Sequence, residues 1–249
     1  MKLLIKLSGK VIDNEKQLED FVKFIKERYN KDKILIVHGG GKQISLWMQK
    51  LSIQPTFVNG LRYTDEQTLE IVVSVLCGLV NKFLVRKFIE RGITKTVGLS
   101  CVDNKLLVTQ IDKNLGFVGR EANEINFEVL DLLLENGYIV LLSSIGLAKD
   151  KKKLVVVNIN ADDVVSLIAV KFKPDKIVFL SDVEGVFDCK NKVIKYLSVK
   201  EIDKLIEQKT VSEGMIPKLQ SIKTLFLSAK VKEVFITNNI RKEGTKIVK

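Results

Sequence analysis

Short apolar runs alternate along this chain with longer stretches of helical period. The runs richest in valine, isoleucine and leucine are predicted to be buried strands, and they lie at 3–7, 33–38, 94–99, 138–143, 176–181 and 233–237. Most of them are followed by a turn and then by a helical stretch, which is typical of a mainly parallel sheet covered by helices. The pattern therefore predicts an α/β protein built on one continuous sheet.

Local signals mark helices and turns as well. Helices are predicted at 15–29 and 43–51 from the spacing of their apolar residues. A capping-box pattern at 64–67 predicts a helix that begins near Asp65. Turn residues within 105–121 predict hairpins rather than a helix, placed to fold over a site as a lid.

No repeat, low-complexity tract or linker rich in proline and glycine divides the chain. We therefore expect a single domain over residues 1–249. A helix is predicted to begin near Asp162 and to end before Pro174. A division into an N-terminal lobe of about 1–172 and a C-terminal lobe of about 173–249 is expected at that point.

The composition is basic, with 41 lysines and arginines against 30 acidic residues and a formal net charge of +11. Only six of the basic residues are arginine, whose planar fork is favoured for recognising bases and phosphates, and the lysines are scattered through every segment. The densest basic run, 149–153, has no interleaved aromatic residues on which bases would stack. We expect no nucleic-acid partner, and we expect the charge to attract small anions such as nucleotides.

The cysteines and the apolar stretches indicate the compartment. Cys77, Cys101 and Cys189 are odd in number and widely spaced, so they predict neither a disulfide framework nor a zinc site. The longest apolar stretch, around 71–80, is shorter than the roughly 20 residues that a bilayer span requires, and the first residues lack the apolar region of a signal peptide. A cytoplasmic protein without a membrane partner is expected.

The sharpest local motif is His38-Gly39-Gly40-Gly41-Lys42, which follows a predicted strand and precedes a predicted helix. Glycines let the backbone approach a ligand closely, and the N-terminus of a helix presents unpaired N–H groups to an anion. A flexible turn is the alternative, but three consecutive glycines cost chain entropy that an ordinary turn avoids. The motif predicts a phosphate or carboxylate site, although its spacing is not that of a Walker A loop. His38 is the only histidine, which argues against a histidine triad or a zinc cluster.

Two lysines occupy positions that are costly unless an anion lies nearby. Lys6 interrupts an apolar strand near its C-terminal end, where open α/β sheets bind ligands. Lys218 follows Pro217 in the first turn of a predicted helix, at the positive end of the helix dipole. Each residue is alternatively a solvated surface lysine, and the pattern alone leaves both interpretations open.

Further polar segments adjoin predicted strands and helices. The segment 158–163 carries four polar side chains in six residues, and 181–188 repeats this arrangement after another strand, so both are either ligand sites or ordinary caps and turns. Arg62 lies just before a predicted helix. It is either a bidentate clamp for a carboxylate or an ion-pair partner of Asp65 or Glu66.

Taken together and in order, these segments resemble the amino acid kinase family nearly from one end of the chain to the other. The matching stretches are IKLSG at 5–9, VHGGGK at 37–42, NGLRYTD at 59–65, LGFVGRE at 115–121, NGYIVLLSSIG at 136–146, NINADD at 158–163, LSDVEGV at 180–186, EGMIPK at 213–218 and GTKI at 244–247. The resemblance implies a three-layer αβα sandwich with a mainly parallel central sheet. It also implies a substrate site in the N-terminal lobe and a nucleotide site in the C-terminal lobe.

The resemblance implies a role for each matching residue. Lys6 and Lys218 match the catalytic lysines that stabilise charge on the transferring phosphoryl group, and Asp162 matches the aspartate that orients them. Gly9, Gly40 and Gly41 match glycines whose backbone N–H groups hold phosphate oxygens. Substrate binding is assigned to Gly40, Gly41, Arg62 and Asn158. Nucleotide binding is assigned to Gly9, Asp182, Val183, Glu184, Gly185, Val186, Phe187, Thr210, Val211 and Ser212, and no residue is predicted to bind a metal directly.

The activity implied by the resemblance is ATP-dependent phosphorylation of the side-chain carboxylate of N-acetyl-L-glutamate, the second step of arginine biosynthesis, with Mg²⁺ accompanying ATP. Such an acceptor is already ionised at neutral pH, because the reference pKa of a glutamate side chain is about 4.3, and it needs no general base. In-line transfer then requires alignment and positive charge, which two lysines, backbone amides and Mg²⁺ would supply.

Ser8 and Cys101 stand where this family usually has glycine. Ser8 is compatible with the fold if its φ is negative, and Cys101 is interpreted as a small packing residue. Family members that are hexameric and inhibited by arginine carry an extra N-terminal helix, whereas this sequence starts directly with a strand. A homodimer without that feedback is therefore expected.

Four other functions remain open at this stage. A sister kinase of the same fold would act on a carrier-linked aminoadipate or glutamate, although NGLRYTD at 59–65 favours the free acetylated amino acid. Uridylate kinase shares KLSG and a similar turn at 182–186, but its features for a nucleotide acceptor are not obvious here. A non-catalytic nucleotide-binding regulator would not need Lys6, Asp162 and Lys218 together. A nucleic-acid-binding protein is motivated by the net charge alone.

Overall fold

The computed structural model describes residues 1–151, 153–211, 214–229, 231 and 233–249. The strands are β1 (Lys2–Leu7), β2 (Lys33–His38), β3 (Phe57–Val58), β4 (Leu61–Arg62), β5 (Thr96–Ser100), β6 (Leu107–Ile111), β7 (Val118–Ile125), β8 (Ile139–Ser143), β9 (Ile145–Asp150), β10 (Lys153–Ile159), β11 (Lys176–Leu180), β12 (Tyr196–Ser198), β13 (Glu233–Thr237) and β14 (Thr245–Val248). The helices are α1 (Gly9–Asp13), α2 (Glu15–Arg28), α3 (Gly41–Lys50), α4 (Glu66–Val73), α5 (Asn81–Glu90), α6 (Glu128–Glu135), α7 (Ala161–Phe172), α8 (Ile202–Glu207) and α9 (Ile216–Ser228). A π-helical segment, Ser74–Val80, joins α4 directly to α5.

One eight-stranded sheet runs through the molecule in the order β12-β14-β13-β11-β1-β2-β8-β5. All its neighbouring strands are parallel except β13 and β14. The predicted α/β fold with one continuous, mainly parallel sheet is thereby confirmed. Leu7 pairs with His38 on one side and with Leu180 on the other, so the segments that follow β1, β2 and β11 emerge side by side. The division into lobes near residue 173 remains a prediction.

Alternation along β1 assigns its side chains to two apolar layers. Leu3, Ile5 and Leu7 pack with α2 and with the helices from α3 to α5. Leu4 packs on the opposite face, with α7 and α9. Because side chains alternate along a strand, Lys6 lies on the same face as Leu4. The sheet register thus directs this lysine toward α7 and α9.

The predicted hairpin within 105–121 is confirmed as the antiparallel pair β6 and β7. These strands close a small four-stranded barrel with β9 and β10. The hairpin turn is fastened to Thr64, whose N–H donates to the Leu115 carbonyl at 2.9 Å and whose carbonyl accepts from the Phe117 N–H at 2.7 Å. The hairpin is therefore held beside the segment that carries Arg62.

Two sequence predictions differ from the structure in detail. The strand predicted at 94–99 is Thr96–Ser100. The helix expected from the pattern at 64–67 is capped by Asp65 rather than by Thr64, since the Asp65 carboxylate accepts from the Thr68 N–H at 2.8 Å. Thr64 cannot take that role because its backbone is paired with the hairpin turn.

The continuous helical segment from Glu66 to Glu90 is long and apolar enough to span a membrane by length and composition alone. The sequence prediction considered only residues 71–80 and underestimated it. In the structure Val72, Leu84 and Phe88 of this segment are fully buried in the core beside the sheet. One face of the segment therefore packs within the fold, as in an amphipathic core helix, while Leu79 and Ile89 are exposed.

Candidate active site

Lys6, Asp162 and Lys218 form a buried charged cluster on the face of the sheet covered by α7 and α9. Lys6 Nζ lies 3.0 Å from Asp162 Oδ1. Lys218 Nζ donates to the same carboxylate, 3.0 Å from Oδ2 and 3.2 Å from Oδ1. Only 7–12% of each side chain is exposed. Two cations therefore share one anion, and the cluster has a net charge of +1 with little solvent to screen it.

Two packed helices hold the cluster together. Asp162 lies in the first turn of α7, where its N–H donates to the side chain of Asn160 at 2.9 Å, and Lys218 lies in the first turn of α9. The helices are joined by Ser166, whose hydroxyl donates to the Ser221 carbonyl at 2.7 Å. A lysine at a helix N-terminus opposes the helix dipole, and the Asp162 carboxylate compensates for that cost.

Burial and charge act in opposite directions on these groups. Burial alone would raise the pKa of Asp162, but Lys218 and Lys6 outweigh it and hold that pKa well below its usual range, at about 2. Burial lowers the pKa of Lys218 to about 8, although Asp162 opposes the shift. Because burial disfavours the charged form of Lys218, a second anion beside it would stabilise that form. The cluster therefore favours binding of a phosphate or carboxylate group.

Two glycine-containing loops meet beside the cluster. Gly9 follows β1, and Gly39–Gly41 connects β2 to α3. A methyl group added to Gly9 would lie 3.3 Å from the Gly40 Cα, and one added to Gly40 would lie 2.7 Å from Leu76 Cδ2. The loops approach this closely because neither residue carries a side chain. Among the described residues no side chain caps α3, so its first N–H groups are available to an anion.

Arg62 is buried on β4 with its guanidinium group against α3. Nη2 donates to the Gly41 carbonyl at 3.0 Å and to Ser45 Oγ at 2.8 Å. Within the described part of the chain no carboxylate pairs with this group, so the alternative ion pair with Asp65 or Glu66 is not formed. Burial lowers the pKa of Arg62, yet an arginine stays ionised at physiological pH. A buried cation without an anionic partner is again a place for an anionic ligand.

A cavity of about 220 Å³ joins these features. Among the residues that line it are Lys6, Gly9, Gly39, Gly40, Gly41, Arg62, Arg120, Ser144, Asn158 and Asn160. Asn158, on β10, donates from Nδ2 to Thr64 Oγ1 at 3.2 Å. The structure thus brings the predicted substrate-binding residues into one small space of mixed polar and apolar lining, which Lys6 and Arg62 both reach.

A wider cleft of about 1050 Å³ lies next to this cavity and runs along the first turns of α9. Both spaces are lined by Arg120, which sequence analysis missed. Its Nε lies 3.7 Å from Asp163 Oδ2. The signal that could have identified it is the one used for Arg62, the rarity of arginine in a lysine-rich chain.

Gly9 lines the small cavity, but the other predicted nucleotide-binding residues that the structure describes line neither space. Asp182 follows β11, is exposed, and accepts a charged hydrogen bond from Lys10 at 2.7 Å. The turn that follows it is anchored by Val186, whose N–H donates to Thr245 Oγ1 at 2.8 Å. Of the other predicted residues in this turn, Val183 and Phe187 are half-buried, Glu184 is exposed and Gly185 is buried.

The second predicted nucleotide segment follows α8. Thr210 and Val211 are half-buried there, and the Thr210 N–H donates to the Leu205 carbonyl at 3.1 Å. Val211 packs against the same apolar layer as the turn after β11. Ser212, the remaining predicted residue, lies outside the described residues. Ser8 and Cys101 are accommodated as expected, Ser8 with a φ of −78° and Cys101 fully buried.

Comparison with known proteins agrees with this arrangement. Residues 1–238 match the family model described as the amino acid kinase family. A protein of Endomicrobium trichonymphae named acetylglutamate kinase is 36% identical over 237 residues, covering 95% of this chain and 93% of that protein. One of the same name from Methanopyrus kandleri is 36% identical over 246 residues, covering 94% of each chain. The crystal structure of smu.665 from Streptococcus mutans superposes with a TM-score of 0.86 at 27% identity, covering 99% of this chain and 98% of that one. The chain belongs to the amino acid kinase family.

Proposed function

We propose that this chain is the kinase that transfers the γ-phosphoryl group of ATP to the side-chain carboxylate of N-acetyl-L-glutamate, in arginine biosynthesis. The observation that carries the proposal is the net positive cluster of Lys6, Asp162 and Lys218 beside a cavity lined by Arg62, whose guanidinium group pairs with no carboxylate of the described residues. The name shared by the curated relatives supports the choice of acceptor.

The acceptor requires binding and orientation but no activation. Its side-chain carboxylate is ionised at neutral pH, because the reference pKa is about 4.3, so the nucleophile needs no general base. Arg62 would pair with a carboxylate of the acceptor, and Asn158 would hydrogen-bond to a polar group of it. The smallness of the cavity would limit the space that the acceptor can explore before reaction.

Transfer requires stabilisation of charge along the path of the phosphoryl group. One oxygen of the acceptor carboxylate forms a bond to the γ-phosphorus while the bond from phosphorus to the β,γ-bridging oxygen breaks, giving an acyl phosphate and ADP. Lys6 and Lys218 would stabilise the negative charge on the phosphoryl oxygens, with Asp162 holding both ammonium groups in place. Backbone N–H groups of Gly9, Gly40 and Gly41 would add donors. Mg²⁺ would enter as part of the Mg·ATP substrate.

The nucleotide is assigned to the C-terminal lobe. Asp182 and the turn to Phe187, with Thr210 and Val211, would surround ATP so that its γ-phosphoryl group reaches Lys218. These segments pack in one apolar layer with α9, which supports a shared role. Domain boundaries near residue 173, a cytoplasmic location and a homodimer without arginine feedback belong to the same proposal. Sizing by light scattering, repeated with an arginine titration, tests the assembly.

The function is tested by trapping acyl phosphate as its hydroxamate in an assay that depends on ATP and Mg²⁺. N-acetyl-L-glutamate is compared with free glutamate, aminoadipate and UMP, and the Lys218→Ala variant is the control. Activity on N-acetyl-L-glutamate that is lost in the variant is the expected result. Activity on another acceptor would overturn the substrate, and silence with every acceptor despite ATP binding would favour a non-catalytic regulator.

A further inference from the structure

His38 is a buried polar residue for which the proposed reaction has no use. It ends β2, directly before the glycine loop, and none of its surface is exposed. Its Nδ1 lies 3.2 Å from the carbonyl oxygen of Gly39, and its Nε2 lies 3.0 Å from Nδ2 of Asn81 on α5. Burial lowers the pKa of His38 to about 4, so the ring is neutral near pH 7.

The contacts of Asn81 determine which ring nitrogen carries the proton. Asn81 Nδ2 also donates to the carbonyls of Leu141 at 3.0 Å and Leu99 at 3.3 Å, while its Oδ1 accepts from Lys82 Nζ at 3.1 Å. The amide NH₂ therefore faces the ring, and it can only donate. A proton on Nε2 would face this donor directly, so the contact favours Nε2 as an acceptor that shares the two NH₂ hydrogens with the two carbonyls, and it favours the proton on Nδ1, beside the Gly39 carbonyl.

Fixing the Gly39 carbonyl also fixes the N–H of Gly40. The chain has no cis peptide bonds among the described residues, and in a planar trans peptide the C=O and N–H groups point in opposite directions. Among the same residues the Gly40 N–H has no hydrogen-bond partner, and Gly40 lines the small cavity. Within a run of three glycines this peptide would otherwise rotate at little cost.

The π-helical segment Ser74–Val80 contributes to both contacts, that of Asn81 with the ring and that of the core with Gly40. It leads into Asn81, which lies against the middle of β5 and β8, and it brings Leu76 and Val80 against Gly40. Gly98 makes room for the amide, because a methyl group there would lie 2.0 Å from Asn81 Oδ1. Single π-helical turns inside α-helices are rare and recur at functional sites.

We infer that Asn81 and His38 are positioning residues: Asn81 selects the Nδ1–H tautomer of His38, which holds the Gly39 carbonyl and so aims the Gly40 N–H at the oxygens of the bound anion. The inference rests on the proposed function for the identity of that anion. Its geometric half, the tautomer and the orientation of one peptide, is independent of any activity.

The geometric half is tested by long-range ¹H–¹⁵N NMR of the histidine ring, which is unambiguous because the chain has one histidine. The Nδ1–H tautomer, unchanged between pH 6 and 8, is the expected result. The Nε2–H tautomer, or a mixture, would overturn the inference even if the enzyme is active.

The functional half is tested by two variants that separate the ring nitrogens. In His38→Asn the side-chain amide occupies the place of Nδ1 and can still donate to Gly39, whereas in His38→Gln it reaches only the place of Nε2. We expect kcat to fall about tenfold to a hundredfold in His38→Gln, less than the roughly 10²- to 10³-fold cost of removing an oxyanion donor because the Gly40 N–H is displaced and not lost, with little change in the KM for ATP. His38→Asn should retain most of kcat.

A matched control separates positioning from loss of stability. Thr96→Val removes a buried hydrogen bond, from Oγ1 to the Ile93 carbonyl at 2.6 Å, at the far end of β5. It should lower the melting temperature without lowering kcat. Equal kcat in the two His38 variants would overturn the inference. If the wild-type enzyme shows no activity with any acceptor, the proposed function fails. The inference is then tested by the amide resonance of Gly40 in ¹⁵N-glycine-labelled protein. This resonance should move in His38→Gln and stay in place in His38→Asn, and any other result would overturn the inference.

Discussion

Two parts of the proposed site differ in how deeply their charged residues are buried. The acceptor side is the cluster of Lys6, Asp162 and Lys218, and the nucleotide side is the turn that begins at Asp182, together with its partner Lys10. On the acceptor side Lys6, Asp162 and Lys218 are almost fully buried, and all their mutual contacts are between 3.0 and 3.2 Å. On the nucleotide side the ion pair of Lys10 and Asp182 is exposed, with 67% and 37% of the side chains accessible. Buried charges must be paired before a ligand arrives, because their desolvation is costly, while exposed charges can rearrange when it binds. If the proposed assignments hold, the chain is thus preorganised where phosphorus would be transferred and exposed where the nucleotide would bind.

The largest effect is expected from Asp162→Asn, which removes the only anion from the buried cluster. Two buried lysines would then face an amide, with no carboxylate left to compensate for the cost of burying their charges. We expect kcat to fall by about 10² to 10³ and the free energy of unfolding to fall by about 3 kcal/mol. Hydroxamate assays and urea denaturation measure the two quantities. A fully stable variant would contradict the view that the cluster depends on this carboxylate.

A smaller effect is expected at Gly185, where the turn after β11 packs too closely on Thr245 to admit a side chain. In Gly185→Ala the new methyl group would lie 2.4 Å from Thr245 Oγ1 and 3.0 Å from the Thr245 backbone nitrogen. The turn after β11 must therefore move. We expect the KM for ATP to rise about tenfold while the KM for the acceptor stays the same, as a loss of nucleotide binding alone requires. A change in the KM for the acceptor alone would contradict the assignment of this turn to nucleotide binding.

The sequence predicted the strands better than the cluster that they support. Buried strands such as 33–38 and 233–237 are evident from local composition, and both are found where predicted. The residue pattern alone left Lys6 and Lys218 open to two interpretations, and the family resemblance assigned their roles, because their partner Asp162 is distant in sequence and only the packing of α7 against β1 and α9 joins them. Arg120 and Asn81 were missed for the same reason. The rarity of arginine was the one signal for Arg120, Asn81 carried none, and the role of each depends on a contact with another segment.

A moderate effect of pH is expected from Lys218. Burial lowers its pKa to about 8, so in the free enzyme the ammonium group loses its proton at a lower pH than an exposed lysine does. Because the charged form stabilises the phosphoryl oxygens, kcat/KM should decline as pH rises through about 8. In Lys218→Arg the side chain stays charged, so the decline should disappear even though the rate is lower. An unchanged alkaline decline in this variant would assign it to another group.

The smallest effect is expected from Asp182→Asn. Lys10 lowers the pKa of Asp182 against the opposing effect of burial, so the pair stabilises the fold above the ordinary pKa of an aspartate and loses that contribution as pH falls. Because both groups are exposed, screening keeps the contribution below about 1 kcal/mol. We expect the KM for ATP to change by no more than about threefold. This change should disappear in 0.5 M salt, which screens exposed charges. The loss of activity in Asp162→Asn should persist in the same salt, since ions do not screen a buried cluster well. If salt suppressed both effects alike, the contrast between a buried acceptor side and an exposed nucleotide side would not describe how this enzyme works.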